Sequence, residues 1–180
     1  SRGLGDVYKR QELGHEALVE VLLAHAAIEP NQAKQNGVTP LWIAAQKGKE
    51  GVLQLLLAHA AIDPNQARQD GATPLMVAAQ NGHLDVVHAL VAAGASVDQA
   101  MEDGATPLLA SAHDGYLDVV NALVAAGASV DQANIYYTTP LWISAHEGHL
   151  GVVQALVAAG ASVDQAKENG ATALFVSAHE

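Results

Sequence analysis

The stretch from Asp70 to Glu102 begins again at Asp103, and this recurrence limits the fold more than anything else in the chain. Sliding it forward carries Thr73-Pro74-Leu75 onto Thr106-Pro107-Leu108, then Thr139-Pro140-Leu141, then Thr172-Ala173-Leu174. Sliding it back reaches Thr39-Pro40-Leu41, one residue further away than the period of about 33 residues requires. Such a period means a repeat array in which each unit touches only its neighbours, so the 180 residues count units rather than domains. The units divide as 36–69, 70–102, 103–135 and 136–168, with a partial unit holding only a second helix at 12–35 and a truncated one at 169–180. The non-repeating leader 1–11 carries three of the eight basic residues and reads as a processing or cloning scar.

Within a unit the helix signals are local. Thr39, Thr73, Thr106, Thr139 and Thr172 can each cap a helix through the hydroxyl, and the Pro after four of them suits a first helical position. The short first helix stops at Gly48, Gly82, Gly115 or Gly148. A second helix follows with an apolar stripe such as Val86, Val87, Leu90 and Val91, and ends at Gly94, Gly127 or Gly160. A short hairpin-like turn, such as that between Asp98 and Thr106, leads to the next helix. Two early junctions, residues 24–31 and 58–65, carry one more residue and lack that glycine, which predicts either a longer helix end or a looser loop.

These features resemble the ankyrin repeat, whose signature is Gly-x-Thr-Pro-Leu-His-x-Ala-Ala, then Gly-His, a Val-Val/Leu-Leu helix and Gly-Ala. Here it stands as Gly71-Ala72-Thr73-Pro74-Leu75-Met76-Val77-Ala78-Ala79, Gly82-His83, Val86-Val87, Leu90-Val91 and Gly94-Ala95, and it recurs in register from about Glu12 to Glu180. The resemblance implies an all-α, ankyrin-type solenoid of stacked antiparallel helix pairs, with turn tips and first helices lining a concave face, and protein binding rather than catalysis. Three departures stand out. The signature His is replaced by Trp42, Met76, Leu109, Trp142 and Phe175; Ser111, Ser144 and Ser177 stand for the first Ala of the pair; Tyr136-Tyr137 replaces Asp-Gly. The first two alter packing, the third recognition.

Composition narrows the partner. The net charge is −11, and between Arg68 and Lys167 there is no Lys or Arg but ten carboxylates. Such a face repels phosphate backbones, which excludes nucleic acid. It favours a basic protein segment, although charge that merely keeps the array soluble accounts for it equally well. No Cys is present, no apolar run reaches the roughly 20 residues of a membrane span, and no signal peptide is visible. The expectation is an intracellular, cytoplasmic monomer without membrane contact, its targeting segment lost if the chain is a fragment. The last unit leaves Leu174, Phe175 and Val176 without a covering second helix, so fraying is expected from about Asn169.

No catalytic residue, cofactor site or metal site is assigned. His15, His83 and His149 belong to the Gly-His signature; His25, His59 and His88 fall near ends or polar sides of second helices. His113, His146 and His179 recur beside Asp114, Glu147 and Glu180, but equivalent residues of stacked units lie roughly 10 Å apart, too far to share a zinc ion. They could instead make partner binding pH-dependent. Ser111 and His113, two apart on a helix, point in different directions and make no dyad, as do Ser144 with His146 and Ser177 with His179. Trp42 and Trp142 are read as filling inter-repeat space.

The expected function is a protein–protein interaction scaffold; the alternative is the targeting arm of a larger multidomain enzyme. Its contact residues are Gln35, Asn36, Val38, Gln46 and Lys47; Gln69, Asp70, Ala72, Gln80 and Asn81; Glu102, Asp103, Ala105, His113 and Asp114; and Ile135, Tyr136, Tyr137, Thr138, His146 and Glu147. Exposed Tyr is enriched at binding hot spots, so Tyr136-Tyr137 is the sharpest candidate, unless one of the rings folds back onto the neighbouring tip.

Overall fold

The computed structural model describes residues 15–179; the leader 1–11 lies outside the described residues. Residues 15–23 form helix α1 as far as it is described. Nine helices follow: α2 (Pro40–Gln46), α3 (Glu50–Leu57), α4 (Pro74–Gln80), α5 (Leu84–Ala92), α6 (Pro107–His113), α7 (Leu117–Ala125), α8 (Pro140–His146), α9 (Leu150–Ala158) and α10 (Ala173–His179). No strand occurs among the described residues. Helices α2, α4, α6, α8 and α10 form one row, α3, α5, α7 and α9 a second, and α2, α4, α6 and α8 each also pack on the second helix that follows. The fold is therefore an all-α stack of helix pairs.

Each first helix opens as its sequence requires. The hydroxyl of Thr39, Thr73, Thr106, Thr139 or Thr172 accepts the backbone N–H three residues on, at 3.1–3.2 Å, satisfying a donor that the first turn leaves unpaired. After the C-cap residue the chain reverses through a glycine such as Gly82, at φ +71°. That glycine is required a second time by its neighbour. A Cβ added to Gly48 would lie 2.8 Å from the ring of His83, one on Gly82 2.6 Å from the ring of Tyr116, and one on Gly115 2.7 Å from His149. The ring of each unit thus fills the hollow over the previous unit's glycine. His83 Nε2–H donates to the Gln46 carbonyl at 3.1 Å and His149 Nε2–H to the His113 carbonyl at 2.9 Å. The Gly-His signature is an inter-unit contact, and Tyr116 shows that its essential part is the ring.

The core runs along the seam between the two rows. Leu75, Leu108, Val87, Val120, Leu90 and Leu123 are fully buried, and burial of one such side chain stabilises by about 1.5–3 kcal/mol. Ser111 and Ser144 are also fully buried, their hydroxyls donating to the carbonyls of Leu108 and Leu141 at 3.0 and 3.1 Å. This takes both out of any Ser–His chemistry. The long junction after α3 resolves the choice between a longer helix and a looser loop. At 8 residues, α3 is shorter than α5 at 9. The extra residue enters a loop closed by His59 N–H to Leu56 O and Ile62 N–H to His59 O, both at 3.0 Å. Without a residue that adopts left-handed backbone freely, the helix cannot end in the compact glycine stop, and the longer-helix expectation is overturned.

Beyond the second helices, a side-chain row ties unit to unit. The Asp98 carboxylate accepts both the N–H and the hydroxyl of Ser129 at 3.0 and 2.6 Å, and Asp131 does the same for Ser162 at 2.8 and 2.6 Å. Asn65 accepts the Ser96 N–H at 2.7 Å and Asn31 the Asp63 N–H at 3.1 Å. Part of the acidic character is therefore structural. Among the described residues, no helix is long and apolar enough to cross a membrane.

Candidate interaction surface

The residues singled out for contact fall on two adjoining features, the turn tips between units and the C-terminal ends of the first helices. Each tip is a reversal closed by paired backbone bonds. In the second, Arg68 N–H donates to Ala72 O and Gly71 N–H to Arg68 O, both at 2.9 Å. The carboxylate or amide of Asp70, Asp103 or Asn169 accepts the N–H two residues on at 3.0–3.2 Å, the Asx-turn that such residues favour. Successive tips join through one further bond: Gln69 N–H to Asn36 O (3.3 Å), Glu102 N–H to Asp70 O (3.1 Å) and Ile135 N–H to Asp103 O (2.9 Å).

Two expected contact residues lie inside instead. Ala72 is 4% exposed and Thr138 is 6% exposed, and neither side chain is available to a partner. Both occupy the closing position of a tip, where the carbonyl pairs with the first residue of the turn and the chain then dives into the N-cap. Val38 and Ala105, at the same position, are half-buried. Asp70 and Asp103 are half-buried too and already engaged by their own turns. The rest of the set is more open: Gln35, Asn36, Lys47, Gln69, Gln80, Asn81, Glu102, His113, Asp114, His146 and Glu147 are exposed, and Gln46 is half-buried.

The fourth tip differs from the others. Ile135, Tyr136 and Tyr137 are 60%, 62% and 55% exposed, so neither tyrosine is folded away. Tyr136 cannot accept the Asx bond, and Asn134 at the start of the turn takes it over, its Oδ1 accepting from Tyr136 N–H and Thr138 N–H at 3.0 Å each. Tyr137 sits at φ +57°, the one left-handed non-glycine among the described residues.

Charge on this side is arranged in pairs. Arg68 grips Asp70 with two N–H groups, Nε at 2.9 Å and Nη2 closer still, and its guanidinium lies 5.0 Å over the Trp42 ring. That grip, more than any other influence, pushes the Asp70 carboxyl down to about 2. A cleft of 380 Å³ opens beside it, walled by Trp42, Arg68, Gln46, Gln80, Asn81 and Asp114, with Ala72, Val77 and Met101 completing its lining. His113 Nδ1 meets Asp114 at 2.7 Å and His146 Nδ1 meets Glu147 at 2.8 Å. The hydrogen bond from His146 holds the Glu147 carboxyl below its ordinary range. Each histidine thus faces its own carboxylate, and no three His, Asp or Glu among the described residues gather where a metal could sit.

The tryptophans separate. Trp42 is 3% exposed, filling inter-repeat space and donating Nε1–H to Ala72 O at 3.0 Å. Trp142 makes the equivalent bond to Ala171 O at 3.1 Å yet stays half-buried, stacked on His146 at 5.2 Å with Lys167 Nζ 4.2 Å over its ring. Arg68, Asn134 and Lys167 therefore shape this surface although the sequence pattern does not single them out. All three occupy the first position of their tips, an offset that also holds Lys34 and Met101 and so carries no fixed residue type.

Comparison with known proteins adds one match. The family model for ankyrin repeats in three copies covers residues 11–68, 61–134 and 108–180. No curated protein matches the sequence.

Proposed function

Since the chain belongs to the ankyrin-repeat family, whose members are generally protein–protein interaction modules and typically non-catalytic, we propose that it is a scaffold binding one protein partner through its turn tips and first-helix ends. The Tyr136–Tyr137 tip is the centre of that contact. The observation carrying the proposal is the run of three large side chains, Ile135, Tyr136 and Tyr137, each more than half exposed in a row of otherwise polar or small tips. Aromatic anchors of this kind supply contact area and a hydroxyl at low entropic cost. With no Lys or Arg between Arg68 and Lys167, the partner is one that presents a basic segment, and its association weakens as salt rises.

The test begins with a partner captured from the native proteome and then purified. The double variant Tyr136→Asp/Tyr137→Gly restores the tip sequence of the other units. It should bind that purified partner at least about tenfold more weakly, the loss of roughly 1.4 kcal/mol or more that a hot spot implies. Its stability should stay within about 1 kcal/mol of the parent, because relief of left-handed strain offsets the lost side-chain burial. Full affinity in the double variant would remove the tyrosines from the function.

A further inference from the structure

We propose that the junction between the fourth and fifth tips is a cation-accepting subsite, in which the Trp142 indole takes an arginine guanidinium from the partner. This rests on the reading of the tip row as the binding surface and adds the chemistry of one position on it.

The subsite exists because Tyr137 stands where its counterparts are glycine. A Cβ added to Gly37 would lie 3.1 Å from Arg68 Cα, one on Gly71 3.0 Å from Met101 Cα, and one on Gly104 3.0 Å from Asn134 Cα. Each glycine lets the next tip close against its Cα. By the same register the position of Tyr137 faces Lys167, and a side chain there takes the room that glycine leaves for a close approach. The three earlier junctions each have a tip-to-tip backbone bond, at 3.3, 3.1 and 2.9 Å. Among the described residues no such bond joins Tyr136 O to Glu168 N. The fifth tip lacks that tie, and the indole at the base of the junction is more open: Trp142 is half-buried where Trp42 is 3% exposed.

Trp142 is nonetheless fixed, by its Nε1–H bond to Ala171 O and by the His146 ring stacked 17° from parallel. A held aromatic face with open access is preorganised for a cation. The protein's own cations show that these indoles attract one, and they show a difference in permanence. At Trp42 the cation is Arg68, clamped by Asp70 with two N–H bonds. At Trp142 it is Lys167, with no carboxylate in ion-pair reach among the described residues. Lys167 is a flexible, displaceable occupant. Guanidinium suits the exchange better than ammonium, because it is planar, stacks on indole and is more weakly hydrated. It would arrive beside Glu147, on a face without another Lys or Arg from Gln69 to Ala166.

The test follows the two indole N–H resonances of the intact chain by NMR, assigned with Trp142→Phe. The probe is the blocked tripeptide acetyl-Gly-Arg-Gly-amide, and the control is its neutral citrulline counterpart. The Trp142 resonance should shift saturably with a millimolar midpoint while the Trp42 resonance stays still, and citrulline should give no saturable shift. Lys167→Met, which removes the competitor, should tighten the probe at least threefold. Tyr137→Gly, which lets the fifth tip close, should weaken it at least threefold. An equal response to citrulline, a response only at Trp42, no response, or weaker binding in Lys167→Met would each overturn the subsite. If the subsite fails while Tyr136→Asp/Tyr137→Gly still loses its protein partner, the binding surface stands and only the arginine position falls.

Discussion

The five N-cap threonines form an experiment that the protein has already set up. Each makes the same bond, hydroxyl to the N–H three residues on, at 3.1–3.2 Å, but not in the same surroundings. Thr106 is 1% exposed, whereas Thr172 is half-buried and caps α10, where Leu174 and Phe175 are 78% and 63% exposed. Thr→Val nearly keeps the volume and removes the hydroxyl, and with it the acceptor of the cap bond. At Thr106 the cap contributes about 1 kcal/mol, and the Leu109 N–H then stays buried without a partner, a further penalty of about 1–2 kcal/mol. Thr106→Val should therefore cost about 2–3 kcal/mol. At Thr172 water reaches the Phe175 N–H that loses its cap, and the same change should cost about 0.5 kcal/mol. Urea unfolding followed by far-UV circular dichroism reads both, and hydrogen exchange at the Leu109 and Phe175 amides reads them locally. Equal costs at the two sites, or a Thr106→Val change below about 0.5 kcal/mol, would refute the claim that burial rather than the bond itself sets the value of the cap.

Two further outcomes follow from side chains already placed. Asp70 has a folded pKa of about 2 against roughly 3.9 in an unfolded chain. Its contribution is thus fully present above about pH 4 and lost as pH falls toward 2; because the pair is about one-third exposed, it amounts to less than about 1 kcal/mol. The urea-midpoint difference between the parent and Asp70→Asn should hold steady near neutral pH and close across that window; a gap that persists at its lower end would show that the Arg68 grip is not the source. Ser111→Ala removes a buried hydroxyl but strands no acceptor, since the Leu108 carbonyl it donates to also serves the helix ladder; the change should stay within about 0.5 kcal/mol by urea unfolding, and a loss above about 1.5 kcal/mol would mean that the hydroxyl supports something beyond its helix.

The repeat, its helices and their caps were legible because each is written in local chemistry: Thr before Pro, Gly after the last turn, and a Val-Val/Leu-Val stripe need no knowledge of distant residues. The tyrosine tip was legible as a break in period. What escaped depends on geometry between units. Ala72 and Thr138 look like ordinary turn residues, yet backbone pairing draws the closing position of every tip inward. Asn134 takes over an Asx bond that Tyr136 cannot make, a substitution visible only when the backbone amides are seen converging. The Asp98–Ser129 and Asp131–Ser162 bonds join residues whose recurrence in sequence reads simply as polar loop. Trp42 and Trp142 read alike, yet the first is buried and the second half-buried, a difference set by the neighbouring unit.

The inter-unit bonds form two separate rows, so the array can be regarded as a short beam laced twice along its length. Flexure that spreads the tips loads Asn36–Gln69, Asp70–Glu102 and Asp103–Ile135, while Asp98–Ser129 and Asp131–Ser162 hold the same units by a second set of bonds. Past Tyr137 the row of tip-to-tip backbone bonds has no further member among the described residues. Compliance should therefore gather at that joint, letting the final pair of tips spread or close around whatever is held between them while the first four keep their spacing.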